Sequence, residues 1–154
     1  MSSAFILFDN ARNQVTLQSI ADFLSKECQL VVRMAEWKGF ATTVPQVHVG
    51  TRPTVALQLN SDADYVPEEN AELVDSYGDS LDERSRKKAR ACSSRVEVMT
   101  CEATVVHDLP ELGTLVSTPN LDTRSTEVRG ILQQLSQHLD GWCFDNVNGD
   151  WIHP

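Results

Sequence analysis

Between Pro53 and Glu83 the chain has no lysine or arginine, yet it holds Asp62, Asp64, Glu68, Glu69, Glu72, Asp75, Asp79, Asp82 and Glu83. The run "RSRKKAR" follows at once, with Arg84, Arg86, Lys87, Lys88 and Arg90. Outside the acidic segment, acidic and basic side chains balance at 13 each, so one segment carries the whole formal net charge of −9. Such segregation constrains local structure. Helix ends use both signs, because the macrodipole favours carboxylates in the first turn and cations in the last.

The spacing predicts two helices here. In "DYVPEENAELVDSYGD", Pro67 suits a first helical position, Val66, Leu73, Val74 and Tyr77 recur at helical spacing, and Gly78 is placed as a terminator. The second helix is expected to open on Ser80 and Glu83, a capping-box spacing, with its basic residues towards the C-terminal end. Helix electrostatics does not account for all of the charge. Glu68, Glu69, Glu72, Asp75 and Asp79 have no basic residue at i+4, so like charges repel with no local gain. Such a face suits a cationic protein partner, which its field would steer. It is the wrong sign for nucleic acid.

At 154 residues the chain is expected to form one domain with its own core, spanning residues 1–154. Its 41% hydrophobic and 23% charged content is that of a soluble globular protein. The apolar run "AFILF" is too short for a signal peptide, and no stretch approaches a membrane span. Cys28, Cys92, Cys101 and Cys143 form no CxxC pair and are expected to be free thiols in the cytoplasm.

Strand patterns are read in "AFILFD", "QLVVRMAEW", "VPQVHVG", "PTVALQLN" and, as one strand, "RVEVMTCEATVV". Thr16 is placed to cap the helix "LQSIADFLSKE". The segment from His107 to Ser125 is rich in turn formers and reads as a loop with a short ordered piece. In "TEVRGILQQLSQHLDG", Val128, Ile131, Leu132, Leu135 and Leu139 make one stripe, with Gly141 ending the helix. Gly130 inside it points to a close packing contact. Helices and strands mix without βαβα alternation. The expected fold is α+β: a mostly antiparallel sheet, helices on one main face, and a C-terminal β-hairpin.

The closing "DNVNGD" raises the question of calcium. Counting from Asp145 puts Val147 and Gly149 at ligand positions, and counting from Asn146 puts Trp151 where glycine is required. The spacing fails for metal. Asn148-Gly149 suits a tight turn with φ > 0, so the stretch reads as a hairpin in which Trp142 and Trp151 pack.

No zinc-ligand spacing, nucleophile elbow or phosphate-binding glycine loop is present, and no cofactor is expected. Candidates for a small enzyme reduce to Asp9, His48, His107 and Asp108, with Asp9 more simply read as shaping the turn after the first strand. Cys28 near Lys26, and Cys92 after the basic run, lack a neighbouring histidine. The acidic "YVPEENAELVDSYGD" helix and the closing "LDGWCFDNVNGDWI" unit resemble in type the immunity proteins that bacteria carry against secreted toxins. That resemblance implies a stoichiometric, non-catalytic inhibitor of a basic toxin or effector, binding through Glu68, Glu69, Glu72, Asp75 and Asp79. Two alternatives stand beside it: the small enzyme, and a ligand-sensing or assembly domain that forms homodimers through strand edges.

Overall fold

The strand that opens the chain buries both of its faces, and the sheet is organised around it. Ala4, Ile6 and Phe8 join one apolar cluster, while Phe5 and Leu7 pack in another on the opposite side. Extended backbone alternates its side chains in this way. Such a strand has to lie inside a sheet with cover above and below.

The computed structural model describes residues 2–39, 41–101, 105–111, 113–117 and 120–153. In chain order the elements are β1 (Ala4–Phe8), α1 (Leu17–Lys26), β2 (Val32–Lys38), β3 (Thr43–Val49), β4 (Val55–Asn60) and α2 (Val66–Tyr77). A 3-10 turn at Gly78–Ser80 leads to α3 (Glu83–Arg90), β5 (Ser94–Thr100), β6 (Val105–Leu109) and β7 (Gly113–Ser117). The chain closes with α4 (Thr126–Leu139), β8 (Trp142–Asp145) and β9 (Asp150–Ile152). Seven strands form one antiparallel sheet in the order β2-β3-β4-β5-β1-β8-β9, and β6 and β7 pair as a separate hairpin. This is a single-domain α+β fold.

The larger core lies under α1 and α4, the main helical face. Ile20, Leu24, Leu132 and Leu135 are wholly buried there against Ile6, Val47, Leu57, Val96 and Val98. Each such side chain stabilises the fold by about 1.5–3 kcal/mol relative to exposure. The other helix pair, α2 and α3, covers the opposite face at the β1–β8–β9 end, packing Val74, Leu81 and Ala89 over Leu7, Phe144 and Trp151. Trp151 lies 5.1 Å from the Phe144 ring and donates its indole N–H to the Tyr77 carbonyl at 2.8 Å. The hairpin tryptophan is thus core, as expected.

Several local expectations need correction. Asp82, not Ser80, caps α3: its carboxylate accepts from the Ser85 N–H at 2.7 Å, and Ser80 lies in the preceding 3-10 turn. Tyr77 is half exposed, and the buried position between Val66 and Val74 is Asn70, which donates to the Cys92 and Ser94 carbonyls. A Cβ at Gly130 would meet nothing within 4 Å, so no close contact requires that glycine. "RVEVMTCEATVV" is two strands, because β5 ends at Thr100 and β6 starts at Val105. The stretch from His107 to Ser125, expected as a loop with a short ordered piece, contains most of the β6–β7 hairpin.

The ends of α4 and of the last hairpin also differ in detail. Asp140, at φ 50, takes the left-handed conformation after α4. Gly141 is needed for another reason: a Cβ there would lie 2.5 Å from the Leu7 carbonyl oxygen. Strand β1 passes too close for any side chain. In the β8–β9 turn only Gly149 has positive φ, at 75°, and Asp145 pairs with Asp150, so the loop has four residues rather than a tight two. Its pattern is set by Asp145. That buried carboxylate accepts from the Val147 and Asn148 N–H groups and from the side chains of Asn148 and Thr123.

Candidate functional site: the acidic face of α2

Helix α2 starts where Pro67 can replace an unpaired N–H, at the second helical position, and where Glu68 and Glu69 face the positive end of the dipole. Glu68, Glu72, Asp75 and Asp79 follow at i, i+4, i+7 and i+11, one stripe along the helix and its 3-10 extension. All four are exposed, and so is Glu69 one step round the helix. Val66, Asn70 and Val74 hold the other side of α2 in the core.

Tertiary structure supplies cations that local spacing does not. Arg90 of α3 makes two hydrogen bonds to Asp75, at 2.9 and 3.2 Å. Those hydrogen bonds and the positive charge hold the Asp75 carboxyl below its ordinary range, against a smaller opposing effect of desolvation. Arg95 of β5 reaches Glu69 at 2.6 Å and Glu97 at 2.9 Å, with its guanidinium 4.8 Å over the Phe5 ring. The Arg95 side chain is only 10% exposed, so this pair ties α2 to the sheet. Arg95 is the buried member and Glu69 is half exposed, so removing Glu69 would leave Arg95 with Glu97 as its remaining carboxylate. Two of the five candidate carboxylates are therefore structural. Among the described residues Glu68, Glu72 and Asp79 make no ion pair.

Of the enzyme candidates, Asp9 and His48 do not converge. Asp9 follows β1 and accepts from the Ala11 N–H and the Ser93 hydroxyl, which is the turn-shaping role. His48 sits on β3 and contacts Gln46 and Arg33; burial, then the Arg33 charge, lowers its pKa. From the strand order and register, Asp9 and His48 lie about 14 Å apart across the sheet and about 20 Å apart along it. Asp108 belongs to the separate β6–β7 hairpin. The side chain of His107 lies outside the described residues. The thiols are poor nucleophiles: burial pushes Cys92 and Cys143 up to about 12, and it also raises Cys28 and Cys101.

A cavity of about 440 Å³ opens between the start of α3 and the last hairpin, lined by Leu81, Asp82, Asp140, Trp142, Trp151 and His153 among others. Sequence spacing could not have assembled it, since its walls come from three separate segments. Asp82 is committed to its cap: the Ser85 N–H holds the carboxyl below the ordinary range. Among the described residues no cluster of His, Cys, Asp and Glu could hold a metal, and no helix is long and apolar enough to cross a membrane. Comparison with family models, with curated proteins and with solved structures finds no match to this chain.

Proposed function

We propose that the chain is a non-catalytic protein-binding module, an immunity-type inhibitor of bacterial origin that acts in the cytoplasm on a basic toxin or effector. The observation that carries this is the exposed stripe of Glu68, Glu72 and Asp79, which form no ion pair among the described residues. Unpaired like charges along one helix face destabilise the free protein slightly. They become favourable when a cationic surface docks. The same sign disfavours nucleic acid as the partner.

The test is affinity capture from a bacterial lysate at low and moderate salt, followed by association kinetics with the captured protein. In Glu68→Gln/Glu72→Gln/Asp79→Asn, association at low salt should slow by about tenfold or more, and the gap should close as salt rises. Stability should stay within about 0.5 kcal/mol of wild type, because all three side chains are exposed. Equal association rates in variant and wild type at low salt would sink the acidic-face proposal.

A further inference from the structure

The two edges of the main sheet are built differently. β9 has three residues, and its Trp151 and Ile152 are buried. β2 has seven residues and no proline, and among the described residues no strand lies beyond it. Three of the molecule's exposed large apolar side chains fall on or beside it: Val31 at 58%, Met34 at 46% and Trp37 at 52% exposure. The Trp37 ring lies along the strand over Gly39, where a Cβ would come within 2.7 Å of it. Proteins ordinarily blunt a long edge of this kind.

The hydrogen bonds show which backbone groups point outward. Gly50 donates to the Val31 carbonyl and Gly39 to the Thr42 carbonyl, so odd-numbered residues of β2 bond inward to β3. Val32, Met34, Glu36 and Lys38 therefore direct their N–H and C=O groups to the free edge. We infer that this edge pairs with the same edge of a second copy, antiparallel about a two-fold axis at Ala35. That register opposes Val32 to the partner's Lys38 and Met34 to the partner's Glu36, each twice, for about eight inter-strand hydrogen bonds. On the other face it sets Arg33 opposite the partner's Trp37, also twice, where the guanidinium would turn from His48 to the partner's indole, with only the small Ala35 on the axis.

The charge pattern selects this register. One step towards the C-terminus opposes Glu36 to Glu36, and like charges directly opposite destabilise. One step the other way sets Glu36 against the partner's Val32 and Lys38 against the partner's Leu30 outside the strand, and it separates Arg33 from the partner's Trp37. The net charge of −9 does not oppose the contact. β1, which α2 covers, is four strands in from the edge, so the two acidic helices lie about 40 Å apart, several Debye lengths at physiological salt. The interface uses none of the α2 carboxylates and stands or falls apart from the inhibitor proposal.

Sedimentation equilibrium of the full chain across micromolar concentrations tests it. Wild type should reach about twice the 17.2 kDa monomer mass, with little dependence on salt. Met34→Pro removes an outward N–H and leaves the β2–β3 ladder intact, so it should be a folded monomer by circular dichroism. Trp37→Lys faces the partner's Arg33 from an exposed position that folding does not need, and should raise the dimer dissociation constant about tenfold or more. A monomeric wild type, or a dimer as tight in folded Trp37→Lys as in wild type, overturns the inference.

Discussion

Replacing Asp145 by Asn tests whether one buried carboxylate holds the C-terminal hairpin. Oδ1 accepts from the N–H groups of Val147 and Asn148 at 3.0 and 3.1 Å. Oδ2 accepts from the Thr123 hydroxyl at 2.8 Å and the Asn148 amide at 2.7 Å. Asparagine keeps the first acceptor and turns an amide donor towards the other two donors. The Thr123 hydroxyl can rotate to accept, but the Asn148 amide loses a charge-assisted bond. With about 1.5–3 kcal/mol for a bond to a charged group, plus weakening of the two that remain, the loss should be about 2–4 kcal/mol. That is a large part of a typical domain stability of about 5–15 kcal/mol.

Urea unfolding at pH 7 should show a lower midpoint with an unchanged slope. The pH dependence checks the cause. Burial alone would raise the Asp145 pKa, but the four hydrogen bonds outweigh it and leave the carboxyl below its ordinary range. A depressed folded pKa gives stability that is full above the unfolded value of about 3.9 and is lost as pH falls through the folded value. The gap between wild type and Asp145→Asn should therefore be constant above about pH 5 and shrink below about pH 4. A loss under about 1 kcal/mol at pH 7, or a gap that does not shrink in acid, would refute the assignment.

Two glycines of α4 and its end should respond oppositely. Gly141→Ala forces a Cβ into the Leu7 carbonyl and should cost about 3 kcal/mol or more in chemical denaturation, whereas Gly130→Ala meets only open space and should add about 1 kcal/mol. Thiol labelling of native protein near pH 8 should reach Cys28 and Cys101 slowly. Cys92 and Cys143, both buried and pushed up to about 12, should react only on unfolding, as mass spectrometry of labelled peptides would show.

Much of the fold was legible where periodicity and local chemistry agree. The α4 stripe of Val128, Ile131, Leu132, Leu135 and Leu139 is buried as its spacing predicts. Thr16 caps α1, reciprocated by Ser19. The acidic stripe is exposed, as its charge demands. The errors fall where one local signal has two uses. Gly141 reads as a helix terminator, yet Asp140 takes the left-handed turn and the glycine admits β1. Ser80 and Asp82 are both good caps, and the 3-10 turn decides between them. Tyr77 shares the helical spacing of Val66 and Val74, yet it is half exposed, and Asn70 closes the β5 side of α2 by bonding two carbonyls.

What the chain determines by itself is the set of properties that a residue shares with its near neighbours: helix and strand periods, caps, the placement of charge, and the failure of "DNVNGD" as a metal loop. Tertiary structure alone decided which acidic residues stay unpaired. Arg90 is 15 residues from Asp75, and Arg95 is 26 from Glu69. No local pattern records those distances. The strand order likewise parts Asp9 from His48 and leaves β2 at an edge. Hydrogen bonding and repulsion between neighbours act over a few residues and are written in sequence spacing, whereas pairing across the sheet depends on which strands meet.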